Sequence, residues 1–73
     1  MAHKIDWTEK TKGLLKSELK RRNVTYAQLA EKLGEIGISE TDVNIRNKIA
    51  RGGFTAVFLV QCLEAIGVKE LRI

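Results

Sequence analysis

Several polar residues between positions 40 and 51 have the side-chain chemistry of nucleic-acid recognition. A helix turns by about 100° per residue, so a helix over residues 40–51 would place these residues on one side: Glu40, Asn44, Asn47, Lys48 and Arg51, with Thr41 at the margin. Asparagine can pair bidentately with adenine, and lysine or arginine can bond to guanine or to phosphate. The spacing therefore predicts a polar surface suited to base edges.

The opposite side of this predicted helix is mostly apolar and is expected to face a core; it carries Val43, Ile45, Ile49 and Ala50. Arg46 falls on that inner side, one turn after Asp42, so we expect the two side chains to form a partly buried ion pair. Glu40, in contrast, would face a bound phosphate and repel it.

Groups that catalysis usually needs are scarce. The chain has one cysteine, Cys62, and one histidine, His3. These do not make the four-ligand set of a structural metal site, no histidine stands near a nucleophile, and Gly52-Gly53 is typical of a turn rather than of a phosphate-binding loop. We expect no enzymatic activity, no metal or other cofactor and no small-molecule ligand. Cys62 lies among apolar residues and is expected to pack as a small hydrophobe.

The excess positive charge is concentrated in one segment. Residues 12–22 hold five basic residues against one acidic residue, which accounts for the whole net charge of +4. A basic segment fits a nucleic-acid partner, although it is also typical of a solvated helix face. Residues 35–52, which include the predicted polar surface, balance three acidic against three basic residues.

The length and patterning indicate one domain over residues 1–73, with an N-terminal arm at residues 1–7. The longest apolar-rich stretch, residues 54–60, is far shorter than the roughly 20 residues that cross a bilayer, and the N-terminus has no apolar signal-peptide segment. A lone cysteine forms no intramolecular disulfide, so we expect a reduced, cytoplasmic protein with no membrane association.

Helical periodicity runs through nearly the whole chain. We predict a first helix from a cap at Asp6 or Thr8 to Arg22, closed by Asn23, followed by helices at about 26–36, 40–51 and 56–66. The expected N-caps of the last three are Thr25, Ser39 (in a capping box with Asp42) and Thr55, and the expected turn residues are Gly37, Gly52, Gly53 and Gly67. Residues 68–73 fit either a short helical turn or an edge strand.

The central part of the chain resembles a known family. Residues 25–34 read Thr-Tyr-Ala-Gln-Leu-Ala-Glu-Lys-Leu-Gly, and residues 65–68 read Ala-Ile-Gly-Val. Over residues 14–68 the chain resembles the Cro/repressor-type (XRE-like) helix-turn-helix proteins of bacteria and phages. The resemblance implies an all-α, compact bundle of four to five helices with a lambda-repressor-like fold and a helix-turn-helix at residues 25–52.

The resemblance also implies a function. In such proteins the third helix reads the major groove and the start of the second helix contacts phosphate. We therefore expect a small transcriptional regulator that binds double-stranded DNA through helix 40–51, with the DNA-binding residues Tyr26, Thr41, Asn44, Asn47, Lys48 and Arg51. The alternative is a protein-interaction or homodimerisation module on the same fold, without DNA binding.

The fourth predicted helix is apolar on more than one side. Its core positions are expected to be Leu59, Val60, Cys62, Leu63 and Ile66. Val57 and Phe58 occupy positions that the family usually leaves polar, so we expect them to be exposed and to form a homodimer interface. The alternative is that Phe58 packs under the N-terminal arm, against Trp7.

Overall fold

The computed structural model describes residues 4–73, which form four α-helices: α1 (Trp7–Arg21), α2 (Tyr26–Glu35), α3 (Asp42–Arg51) and α4 (Ala56–Ala65). Residues 4–73 contain no strand, so the prediction of an all-α domain is confirmed. His3 lies outside the described residues. None of the helices in residues 4–73 combines the length and the apolar character that crossing a bilayer would need.

Each helix begins where a short polar side chain accepts a hydrogen bond from the backbone N–H three residues further on. These N-caps are Asp6, Thr25, Thr41 and Thr55. Such a bond satisfies one of the backbone donors that a helix leaves unpaired at its start. At Thr25 the bond is reciprocal, because the Gln28 side chain accepts from the Thr25 backbone N–H at 2.9 Å.

Five predicted boundaries are wrong. The cap of α3 is Thr41 rather than Ser39, and its Oγ1 accepts from the Asn44 backbone N–H at 3.1 Å. Residues 38–41 are non-helical, and Ile38 packs against the core from within this segment. The N-terminal arm ends before residue 7, since Trp7 is already the first residue of α1. The first, second and fourth helices also end one residue earlier than predicted.

The helices end in left-handed turns where the sequence predicts them. Asn23 has a φ of 58° after α1, and Gly37 has a φ of 84° after α2. Asparagine and glycine tolerate this backbone conformation better than other residues. Residues 68–73 form neither helix nor strand, so the suggested edge strand is wrong. Residues 4–73 contain no strand with which residues 68–73 could pair.

The core is built from one i,i+4 pair on every helix. The buried hydrophobic residues are Leu15 and Leu19 of α1, Leu29 and Leu33 of α2, Ile45 and Ile49 of α3, and Phe58 and Cys62 of α4. Residues four apart lie on the same side of a helix, so each helix presents one narrow apolar stripe. Both α1 and α2 pack against α3 and α4.

One charged residue is buried with the core. Glu18 pairs with Arg21 at 3.2 Å and, as its i,i+4 spacing predicts, with Arg22 at 3.7 Å. This carboxylate therefore offsets basic charge at the end of α1. Lys16 and Lys20, by contrast, are exposed and make no ion pair within residues 4–73.

A close contact holds the end of α3 against the start of α1. Gly52 ends α3 with a φ of 71° and is buried. A Cβ atom at this position would lie 2.6 Å from the Thr8 methyl carbon and 3.1 Å from the Thr8 carbonyl oxygen. Beside it, the Lys12 ammonium donates to the Ala50 carbonyl oxygen at 3.1 Å. Only glycine has both the backbone freedom and the small size that this junction needs.

Replacing Gly52 is expected to destabilise the domain strongly. Gly52→Ala should lower the free energy of unfolding by about 2–4 kcal/mol, because a left-handed conformation costs an L-residue about 1–2 kcal/mol and the Thr8 contact adds an overpacking cost. Urea denaturation followed by circular dichroism measures this loss.

Two glycine controls separate the cost of the left-handed backbone from the cost of the Thr8 contact. Gly67 also has a positive φ (79°) but open space around it, so Gly67→Ala should cost only about 1–2 kcal/mol. Gly34 lies within α2 in open space, so Gly34→Ala should stabilise by roughly 0.5–1 kcal/mol. Equal losses at Gly52 and Gly67 would contradict the close contact.

Candidate nucleic-acid interface

The outward side of α3 is formed by its six exposed residues, here called the exposed α3 face: Val43, Asn44, Arg46, Asn47, Ala50 and Arg51. Its centre line follows Val43, Asn47 and Ala50 at i, i+4 and i+7, and the two arginines lie on either side of that line. The face carries two positive charges and no carboxylate. It combines amide hydrogen-bonding groups, guanidinium groups and a small apolar centre.

This face matches the prediction in part. Asn44, Asn47 and Arg51 are exposed together, as the helical spacing predicts. The predicted inward orientation of Val43 and Ala50 is wrong, because Val43 is 53% exposed and Ala50 is also exposed. Only two residues of α3, Ile45 and Ile49, face the core.

Arg46 is the residue that sequence reasoning missed. It is exposed, and it forms no ion pair with Asp42 in the structure, so the expected buried pair is wrong. The signal was present in the Ile45–Ile49 spacing: if that pair alone defines the buried stripe, Arg46 falls outside it. Burial of an ion pair there would also have required removing both charges from water.

The predicted polar surface includes Lys48 and Glu40, but in the structure these two side chains pair with each other and are not part of the exposed α3 face. The Lys48 ammonium donates to the Glu40 carboxylate and lies 4.8 Å from the centre of the Phe58 ring. The Glu40 side chain is only 10% exposed. Glu40 therefore does not face outward where it would repel phosphate, and Lys48 is held in a cation–π contact rather than extended from α3.

Phe58 belongs to the core rather than to a surface. It is 4% exposed and meets the Phe54 ring edge-on, with 5.6 Å between ring centres. The expectation that it lies at an exposed dimer interface is wrong, because its ring fills the space between the core and Lys48. Trp7, the alternative neighbour, is 66% exposed. Val57 is 66% exposed, as expected for its side of α4.

Val60 also differs from the prediction. It is 62% exposed and lies near Val57 on the outward side of α4, three residues further along the helix.

Cys62, by contrast, is buried in the core as expected. Burial, with a smaller contribution from the nearby Glu40 charge, raises the pKa of the Cys62 thiol to about 12. The thiol therefore stays protonated and unreactive at neutral pH.

The first turn of α2 lies beside the lysines of α1. A groove between the two elements is lined by Lys16, Leu19, Lys20, Val24, Thr25 and Tyr26. Tyr26 is half-buried and packs against the core, and Thr25 uses its side chain as the N-cap. Lys16 and Lys20 also border a second groove along α1 together with Lys12. Thr41, the other predicted contact, is exposed and caps α3.

A row of lysines on α1 therefore extends from the last turn of α3 to the first turn of α2. Lys12 contacts the last turn of α3 through the Ala50 carbonyl oxygen, and Lys16 and Lys20 follow on the same side of α1 towards the first turn of α2. We call Lys16, Lys20 and Tyr26 the basic groove.

A family model described as a domain of unknown function, DUF6471, matches residues 7–71. The chain belongs to the DUF6471 family. The matched residues include all four helices of this DUF6471 domain. No curated protein and no solved structure shows significant similarity to the chain. The resemblance of this DUF6471 domain to Cro/repressor-type proteins stays a prediction from its residues.

Removing Lys48 should reduce stability, whereas removing Arg51 should not. Lys48→Ala leaves the nearly buried Glu40 carboxylate unpaired and removes the contact with the Phe58 ring, so we expect a loss of about 1–2 kcal/mol in the free energy of unfolding. Arg51→Ala, on the exposed α3 face, should change it by no more than about 0.5 kcal/mol. Urea denaturation of both variants tests this difference, and equal effects would contradict it.

Proposed function

We propose that this domain binds double-stranded DNA and acts as a small transcriptional regulator, with the exposed α3 face in the major groove. The observation that carries the proposal is the composition of that face: two asparagines and two arginines surround a small apolar centre, and no carboxylate lies among them. Asparagine and arginine supply the bidentate hydrogen bonds that distinguish base pairs in the major groove.

The charge distribution supports the same proposal. Residues 35–52 are neutral by count, but Glu40 and Lys48 offset each other, Asp42 is half-buried at the start of α3, where it suits the helix dipole, and Glu35 belongs to α2 and not to the exposed α3 face. The two arginines of the exposed α3 face are therefore left to face a polyanion.

The basic groove would contact the phosphate backbone next to the reading helix. Its two lysines are exposed, and the Tyr26 hydroxyl adds a hydrogen-bond donor at the first turn of α2. Lysines that neutralise phosphates release condensed counterions, which makes the affinity dependent on salt. We therefore assign backbone contacts to Lys16 and Lys20 and base contacts to α3.

A second candidate function is homodimerisation through α4. Val57 and Val60 are both more than 60% exposed and lie on the same side of the helix. A symmetric dimer would suit DNA binding to two half-sites, and it would also suit an interaction module that does not bind DNA. The two candidates are separable because their surfaces lie on different helices.

DNA binding is expected to depend on salt and on both surfaces. The logarithm of the affinity should fall with the logarithm of salt concentration, with a slope of about −0.9 for each phosphate contacted. Arg51→Ala should weaken binding, and Lys16→Gln/Lys20→Gln should make the slope shallower by roughly 1.8, since two phosphate contacts are lost. Fluorescence anisotropy with labelled duplexes at several salt concentrations measures both effects.

A charge-matched variant controls for non-specific attraction. Lys10→Gln/Lys69→Gln removes the same charge from exposed positions that line neither lysine groove, so it should leave the slope nearly unchanged. DNA binding would be refuted if the folded protein failed to bind a random duplex pool at low salt. Equal slopes in the two double variants would instead refute the assignment of backbone contacts.

Self-association through α4 has its own test. Val57→Asp should convert a dimer, of twice the chain mass of 8.2 kDa, into a monomer, because a charge at this exposed position opposes apolar contact with a second copy. Val43→Asp places the same charge on α3 and should leave the mass unchanged. Light scattering measures the mass, and a monomeric unsubstituted protein would contradict this candidate.

A further inference from the structure

The centre of the exposed α3 face has the chemistry of an A·T base pair. We propose, on the basis of the proposed DNA binding, that α3 recognises a site centred on A·T pairs, with Val43 and Ala50 against thymine methyl groups and Asn47 on adenine. Arg46 and Arg51 then contact guanine bases or phosphates at the positions that flank this centre.

Val43 supports this assignment by its exposure and its place. Val43 is 53% exposed although its side chain is apolar. It lies in the first turn of α3, and the first turn of a recognition helix contacts base edges. Ala50 lies close to the same line two turns later. Thymine is the base whose major-groove edge carries a methyl group, and small apolar side chains are its natural contacts.

Asn47 supplies the complementary hydrogen bonds. It lies one turn after Val43 on the centre line of the exposed α3 face, and its side chain makes no hydrogen bond within residues 4–73. An asparagine amide can donate to adenine N7 and accept from adenine N6 at the same time. Val43 and Asn47 are therefore neighbours that can contact the two bases of one A·T pair or of adjacent pairs.

A central G·C pair would fit this surface less well. Cytosine presents an amino donor and guanine two acceptors in the major groove, and these groups would lose water against Val43 and Ala50 without gaining a partner. The guanidinium groups that suit guanine are at the edges of the face, on Arg46 and Arg51. The expected site is thus A·T at the centre, with G·C pairs or phosphate contacts outside it.

The test begins with selection of bound duplexes from a randomised library by the unsubstituted protein. Each thymine of the selected site is then replaced by deoxyuridine, which pairs identically but lacks the methyl group. At one or two central positions this replacement should weaken binding about fourfold, the effect of one buried methyl group. Val43→Ala should bring that thymine-to-uracil ratio close to one at the position it contacts.

Two variants make the result specific. Ile5→Ala removes apolar atoms from a similarly exposed residue (52%) that lies outside both α3 and α4, so it should keep the fourfold ratio. Asn47→Ala should reduce discrimination against a replaced central adenine by at least about fivefold. Circular dichroism checks that each variant is folded, which is expected because all three positions are exposed.

The outcomes separate this proposal from the one on which it rests. Duplex binding with a G·C centre, with no enriched sequence, or with no effect of uracil at any position overturns the A·T assignment and leaves DNA binding in place. A uracil effect that survives Val43→Ala and Ala50→Gly overturns the roles of these two residues. A folded protein that binds no duplex at low salt overturns both proposals.

Discussion

Burial of Ile45 and Ile49 is the constraint that sets which side of α3 faces outward. Both residues are at most 1% exposed, and they are the only residues of α3 in the core. Exposing such a pair would cost about 3–6 kcal/mol of hydrophobic burial, a large part of the stability of a domain this small. The helix therefore has one favourable rotation, which leaves Val43, Asn47 and Arg46 outside.

The same rotation decides the charge of the outward surface. It places Lys48 beside the Phe58 ring, where the ammonium pairs with Glu40. This cluster joins α3, the preceding loop and α4; it nearly buries the Glu40 carboxylate and leaves the Lys48 ammonium partly exposed but paired. A segment that is neutral in composition thereby acquires an exposed face with only positive charge. Charge counted along a sequence and charge displayed on a surface are different quantities, because packing hides some groups and not others.

The end of α3 is held by a contact of a different kind. Gly52 fits against Thr8 with no room for a Cβ atom, and Lys12 donates to the last turn of the helix. These contacts connect α3 to α1, whose side carries Lys16 and Lys20. A surface that binds DNA needs its base-reading and phosphate-binding groups at a fixed relative position. The close junction between α1 and α3 sets that relative position for the proposed interface.

Local signals in the sequence were enough to predict the four helices, the caps at Thr25 and Thr55 and one of the two candidates for the first cap, the turns at Asn23 and Gly37, and the burial of Ile45, Ile49 and Cys62. Caps, turns and i,i+4 apolar pairs depend on neighbours a few residues apart, so they can be recognised without a fold. The start of α3, the exposure of Val60 and the burial of Phe58 could not be recognised in this way. Each depends on which helix lies opposite, and that is decided only when the apolar stripes of all four helices pack into one core.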